Sequence, residues 1–519
     1  MRGVGTVLIL VVLATVVATG ARRWRIPAPS LLVVAGLVVA LLPGTPEIRV
    51  TPEIIGLVVL PPLLYASAEE LSLRELRAVW KPVSILAVGL VLASAAAVGA
   101  VACLLTPLTW QLALVLGAVL ASTDPVAVTA LGRRLALPPK VQTLVQAESL
   151  FNDATSLVLF RVAVSIAVAS TAVSWQSAGG QFLLLAGGGT LIGAAVALVV
   201  SAIRRRTEDP VLETVIALVT PYAAYVLAEA AHTSGVTSVV VAGVVLGGRG
   251  DRLTNAGIRL QLHAVYGTVV FLLESVVFSL IGLALPTLIS ALSDEDRLWP
   301  LHAVALAATL VAVRMLWIFP LSAVVQWKGG RRASWRVPVV MSWAGTRGVV
   351  PLAAALSIPL VTDDGAALGH RPLVLVLATS VVVVTLVAQG FTLASVVRRS
   401  GIALEPDHTE REEATARCDL AEAGIRRLDE LSELEAAPDV VIDRLRRSFQ
   451  SRIDHAHDRL SDADHTESAD HVYRQLRRDL IVVETAELQR LYDDHRISDT
   501  TRRRLQRSLD LEEARLAGT

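Results

Sequence analysis

Thirteen apolar runs divide the first 400 residues, and few architectures accommodate that pattern. They fall at about 4–20, 28–43, 53–68, 82–105, 109–132, 141–169, 180–203, 211–231, 235–248, 258–290, 298–326, 337–360 and 370–397. A bilayer-spanning helix needs about 20 predominantly apolar residues. Repeated runs of this length read as an all-α polytopic membrane protein of about thirteen transmembrane helices. The runs shorter than a full span either begin inside a loop or are shielded by neighbours. The run 258–290 exceeds one span, and its first part, with Arg259, Gln261 and His263, is expected in the membrane interface. The chain is 53% hydrophobic but only 4% aromatic, so its apolar mass is Ala, Val and Leu. A soluble protein of that balance would expose far too much apolar surface.

The connections between runs test the count. Odd-numbered connections carry Arg22/Arg23/Arg25, Arg74/Arg77/Lys81, Arg133/Arg134/Lys140, Arg204/Arg205/Arg206, Arg249/Arg252/Arg259 and Lys328/Arg331/Arg332/Arg336. Even-numbered connections carry only Arg49, Arg297 and Arg371. By the positive-inside rule every odd connection is cytoplasmic. The expected topology is multi-pass in the cell membrane, with the N-terminus outside and the C-terminus in the cytoplasm. The first run is not read as a cleaved signal peptide, because Ala18-Thr19-Gly20 is followed by arginines, the wrong flank for cleavage. Cys103 and Cys418 are the only cysteines, which indicates neither a disulfide framework nor a zinc site.

Runs five and twelve are interrupted, by Ser122-Thr123-Asp124-Pro125 and by Gly345-Thr346-Arg347-Gly348 with Pro351. Polar, Gly and Pro breaks at corresponding places in two halves point to discontinuous helices in inverted repeats. The two broken runs stand seven apart, which fits a six-helix repeat used twice with one linking span. Past Ser400 the character changes. Residues 401–519 are dense in Arg, Asp and Glu, with Leu and Ala at helical spacing among i,i+4 charge pairs. They read as a cytosolic helical domain, separate from the membrane domain of residues 1–400. Its six histidines, from His408 to His495, are either surface residues or pH sensors.

The chemistry concentrates in the stretch from Ser122 to Phe160. Asp124, Glu148 and Asp153 lie within or at the ends of otherwise apolar segments. A charge at mid-bilayer costs roughly 2.5–3.5 kcal/mol on insertion scales, so such residues usually face a cavity and mark an ion or proton path. Glu148, Asn152 and Ser156 recur at i, i+4, i+8, with Ser149 and Asp153 on the neighbouring stripe. Ser, Asn and Asp oxygens suit a hard monovalent cation, and one carboxylate there holds either that cation or a proton. Glu148 and Arg347 are natural partners, since each is costly alone. Arg314, in the middle of run eleven, either neutralises Asp124 or satisfies carbonyls at broken helix ends. Glu229 is expected near an outer end, exposed, capping or functional.

At these residues the chain resembles the monovalent cation:proton antiporters, the NhaP and NHE sodium/proton exchangers, as a bacterial member. The matching pieces are Leu60-Pro61-Pro62-Leu63-Leu64, STDPVAV, AESLFND, AEAAHTSG and GTRGVVPLA, and they cover most of residues 30–400. The resemblance implies a dimer, two crossed broken helices, and alternating access in which a six-helix core moves against a dimerisation domain. It implies that Asp153 is the essential ion- and proton-binding aspartate, and that Asn152 beside it marks electroneutral exchange. It implies that Ser149 and the Thr123 backbone are further cation ligands, and that Asp124 is the acid at the crossing helix ends. Glu148 with Arg347 resembles the family's core salt bridge, and Arg314 the arginine that steadies the broken helices. Relatives often carry an acid just after the LPP stretch; here Tyr65, Ala66 and Ser67 stand in that region.

The reading is therefore a secondary antiporter exchanging sodium, or lithium or potassium, for protons. Its partners are those ions, the bilayer and a second copy of the chain, with no nucleic acid and no cofactor. Two other classes are a channel or proton-coupled transporter of another solute, and an intramembrane enzyme using Asp124 and Asp153. No pore-loop filter sequence and no water-activating motif such as HExxH supports either. A potassium/proton antiporter is the nearest alternative.

Overall fold

The structure, a computed structural model, describes residues 28–42, 55–124, 138–169, 175–207, 209–248, 256–292, 296–328, 334–362, 364–402, 406–433, 438–461 and 466–517, with parts of 12–21. Two compact units divide the chain, Met1–Ala403 and Leu404–Thr519.

The first unit is helical throughout its described membrane-length segments. Its helices are α1 (Ala28–Ala40), α2 (Leu60–Glu69), α3 (Leu73–Leu105), α4 (Trp110–Ala121), α5 (Pro139–Val168), α6 (Trp175–Arg204), α7 (Pro210–Ala230), α8 (Gly235–Gly247), α9 (Ala256–Ser290), α10 (Trp299–Lys328), α11 (Arg336–Trp343), α12 (Val349–Leu356) and α13 (Arg371–Ser400). Among the described residues seven helices are long and apolar enough to cross a membrane, and four apolar helices are shorter. The long run 258–290 lies within one continuous helix, α9.

Local chemistry sets the helix ends. Thr109 accepts from the Leu112 N–H at 3.5 Å, opening α4. The Asp209 carboxylate accepts from the Val211 and Leu212 N–H groups at 2.7 and 3.1 Å, opening α7. Each side chain satisfies a donor that the first helical turn leaves without a partner. The break expected in run twelve is present: α11 and α12 flank a non-helical stretch at 344–348. Run five breaks as well, with α4 ending at Ala121 and residues 122–124 non-helical. Pro125 and the rest of that run lie outside the described residues, as do most of the first run and the basic residues Arg133 and Arg134.

Two packing groups emerge. In one, α3, α4, α5, α10, α11, α12 and α13 pack on one another; in the other, α1, α2, α6, α7, α8 and α9 do. The second group is tied together closely. A Cβ at Gly247 on α8 would strike the Glu69 backbone carbonyl on α2, so only glycine lets these helices approach as they do. Arg204, at the end of α6, donates from Nε to Glu213 Oε2 at 2.6 Å, and both are buried. Glu69, at the end of α2, lies 3.9 Å from the same guanidinium.

The second unit holds α14 (Pro406–Glu433), α15 (Asp439–Ser461), α16 (Thr466–Asp493) and α17 (Asp499–Ala517). α14 packs on α15 and α16 on α17. Arg446 pairs with Asp429 at 2.6 Å across the first hairpin, and Arg477 with Glu512 at 2.7 Å across the second. Exposed ion pairs of this kind contribute little, so the buried faces hold the hairpins together. Of the tail histidines, His457 and His495 are exposed.

Candidate ion-binding site

α5 carries the site, and its polar stripe is buried against the two helix breaks. Ser156 donates to the Ala118 carbonyl of α4 at 2.8 Å. One turn earlier, Asn152 Nδ2 donates to Thr123 Oγ1 at 3.2 Å, and Ser149 Oγ donates to the Thr123 carbonyl. Asp153 is only 7% exposed and accepts from Ser122 Oγ at 2.5 Å. The i,i+4 spacing thus presents α5 to the unwound end of α4, where backbone and hydroxyl oxygens are available because the helix has stopped.

The two breaks are stitched to each other. The Asp124 N–H donates to the Thr346 carbonyl at 2.8 Å, and Thr346 Oγ1 donates back to the Asp124 carbonyl at 2.8 Å. Asp124 therefore stands where the breaks meet. A Cβ at Gly348 would collide with its carboxylate, which accounts for glycine at that position.

The arginines are arranged differently from the expected pairing. Glu148, 1% exposed, is held by Arg314 rather than Arg347. Arg314 donates from both terminal nitrogens, NH1 to Oε1 at 2.5 Å and NH2 to Oε2 at 2.8 Å, and from Nε to the Met341 carbonyl at 3.0 Å. This two-pronged geometry is the strong form of an arginine–carboxylate contact. Arg347 takes the role expected for Arg314: its Nε donates to the Leu120 carbonyl at 2.8 Å and its NH1 to the Gly345 carbonyl at 2.5 Å. The physical reason is position. Arg347 lies inside a break, surrounded by carbonyls that no helical N–H reaches. Arg314 sits on intact α10 and has its guanidinium free to meet a carboxylate.

Once Glu148 and the carbonyls have claimed the arginines, Asp153 keeps a neutral hydroxyl as its hydrogen-bond partner among the described residues. Beside it, Asn152 Oδ1 is buried without a partner. An unfilled oxygen next to a carboxylate that forms no ion pair among the described residues is an arrangement that a cation completes, or a proton on Asp153 relieves. A cavity reaches this place. Ser122, Thr123, Asp124, Asp153 and Gly348 of the first packing group line it, facing α2 and α9 of the second.

Sequence reasoning missed Ser122 and Glu274. Ser122 carried no signal beyond lying in the break. Glu274 of α9 lines the cavity and had the clearest signal: a carboxylate in the middle of the apolar run VVFLLESVVF, the same feature that singled out Asp153. It also missed Arg161 of α5, which pairs with Glu229 of α7 and donates to the Thr233 carbonyl at 3.3 Å. Glu229 further accepts the Gly235 N–H at 3.1 Å, so of the three roles left open for it, it serves at least as a cap, opening α8.

Comparison with known proteins supplies the context. The family model "Sodium/hydrogen exchanger, transmembrane" matches residues 8–399. An uncharacterized Na(+)/H(+) exchanger of Mycobacterium tuberculosis is 33% identical over 98% of this chain and 96% of its own length. The Na(+)/H(+) antiporter ApNhaP of Aphanothece halophytica is 32% identical over 73% of this chain and 70% of its own. The solved sodium proton antiporter MjNhaP1 of Methanocaldococcus jannaschii has the same fold, with a TM-score of 0.63, 19% identity, and coverage of 77% of this chain and 99% of that one.

Proposed function

From the membership of this chain in the sodium/hydrogen exchanger family, whose members are multi-pass membrane cation/proton antiporters and not enzymes, we propose that it exchanges sodium, or lithium or potassium, for protons one for one at Asp153. The observation that carries the reading is the state of that carboxylate. It is buried, it is bonded to a hydroxyl, and an unpaired amide oxygen lies beside it. Cation and proton compete for it, with Asn152, Ser149 and Thr123 supplying neutral oxygens. Asp124, Glu148, Arg314 and Arg347 hold the two breaks in register.

The position of the site between two packing groups supports alternating access by displacement of one group against the other. On the charge pattern of the connections the N-terminus lies outside and the C-terminus in the cytoplasm, and the working assembly is a homodimer. Proton/cation exchange in proteoliposomes, with sodium, lithium and potassium in turn, tests the reading and ranks the ions. Wild-type protein without cation-coupled proton flux would sink it.

The charge count gives a sharper expectation. Each loaded state places one positive charge on Asp153, and Asn152 adds none. Glu148 is paired with Arg314 and stays out of the count. The loaded group then crosses with the same net charge in both directions. The membrane potential, worth about 2.3 kcal/mol per charge per 100 mV, finds nothing to act on. Initial rates with sodium or lithium should stay flat as a potassium–valinomycin potential is varied. A steep response would mean that a second acid titrates in the carried group.

A further inference from the structure

The cavity that reaches Asp153 has a second acidic wall. Glu274 sits near the middle of α9, in the packing group opposite α5, and lines the cavity with Thr123, Asp124, Asp153 and Ser67. It is half-buried, and among the described residues no hydrogen bond or ion pair reaches its carboxylate. Three glutamates of this unit each meet a guanidinium instead: Glu148 meets Arg314, Glu213 meets Arg204 and Glu229 meets Arg161. Among the described residues no basic side chain lines the cavity, so Glu274 meets none of them there.

An ionisable group in an apolar span is costly, and a packing role alone would be met by leucine or methionine. Its surroundings explain the carboxylate better. The cavity sets acids and hydroxyls among apolar side chains such as Leu60, Leu64 and Val349, and acidic groups between low-dielectric walls concentrate cations. The neutral oxygens on the α5 side include the buried Asn152 Oδ1, which lacks a donor and whose amide is held to the cavity wall through Thr123. Oxygen donors on both walls suit one hard monovalent ion.

We propose that Glu274 is a further cation-binding residue of the exchange cycle, a carboxylate on the second packing group that receives the cation before it passes to Asp153. The proposal rests on the antiport reading above and adds a division of labour. Capture belongs to one packing group, and the exchanging carboxylate belongs to the other. Because the two acids sit on different groups, the charge of Glu274 does not travel with the load. The one-for-one count is unchanged. It also answers the Tyr65-Ala66-Ser67 stretch: α2 contributes a hydroxyl to the cavity, and the acid comes from α9 instead.

The test is the dependence of proton flux on cation concentration in proteoliposomes. Glu274→Gln should raise the KM for sodium and lithium about tenfold, equivalent to about 1.4 kcal/mol. Its maximal rate at saturating cation should stay within about twofold of wild type, the pattern of lost binding without lost turnover. Glu274→Asp, which keeps the charge, should recover most of the affinity. The cation concentration that half-saturates thermal stabilisation in detergent should shift by the same factor, a readout independent of transport. If Glu274→Gln fails to fold, Glu274→Ser reports the same two quantities. An unchanged KM in a folded charge-removing variant overturns the proposal. So does a fall in maximal rate at constant KM, which is what a packing residue gives. Failure of the antiport reading is distinguishable, because it appears as absent flux in the wild type.

Discussion

Asp153→Asn protein should fold, insert and bind its partner helices normally, and exchange nothing. The substitution keeps the size of the side chain and an oxygen to accept the Ser122 hydroxyl, which lies 2.5 Å away in the native arrangement. It removes the group that takes either a proton or a cation. Competition for one carboxylate is the whole coupling in the proposed cycle, so no partial activity should survive. Proton flux in proteoliposomes under a sodium gradient should fall to the level of empty liposomes. The melting curve in detergent should stay close to that of the wild type or rise, because a buried carboxylate that forms no ion pair destabilises the ion-free state. Sodium-driven flux at wild-type rate from well-folded Asp153→Asn would remove Asp153 from the site. Ser122→Ala gives the graded comparison. It deletes the hydroxyl that holds Asp153 but leaves the carboxylate, and should lower cation affinity while preserving exchange.

Much of this architecture was legible in the chain because its signals are local. A bilayer span is an uninterrupted apolar run, and the bounds of α6, α7, α8, α10 and α13 follow the runs within a few residues. A break needs only Gly, Pro and polar residues in succession, as at Gly345-Thr346-Arg347-Gly348. The polar stripe of α5 follows from 3.6-residue periodicity. What stayed hidden depends on long-range contact. Arg314 lies 166 positions from Glu148, and nothing in either neighbourhood distinguishes it from Arg347 as the partner. The difference is that Arg347 falls within a break, where carbonyls compete for it. Glu274 was hidden for another reason. An acid near the ion is expected on the third run, α2, whereas α9 also borders the cavity through Glu274, and an acid on any helix bordering it serves.

The exchange of roles between the two arginines makes a second large effect measurable. Arg314→Ala should cost roughly 3–5 kcal/mol of stability, the usual result of removing one partner from a buried pair and stranding the other. Glu148, 1% exposed, would be left without its partner, and the Met341 carbonyl would lose the Arg314 donor as well. Glu148→Gln with Arg314→Gln should recover a good part of the loss, because two neutral amides can bond to each other where the ion pair stood. Denaturant unfolding in detergent, run as a double-mutant cycle, separates the candidates. Coupling between Glu148 and Arg314 should be on the order of 2–3 kcal/mol, the upper range for contacting residues. Coupling between Glu148 and Arg347 should be well under about 1 kcal/mol, since no hydrogen bond joins them and only longer-range charge remains. Arg347→Ala acts elsewhere: it frees the Leu120 and Gly345 carbonyls that it now satisfies, loosening the junction of the breaks beside Asp124. Its stability loss should therefore persist when Glu148 is neutralised, whereas the loss from Arg314→Ala should largely vanish. The reverse pattern would return Arg347 to the pair and require a different arrangement of α10 against α5.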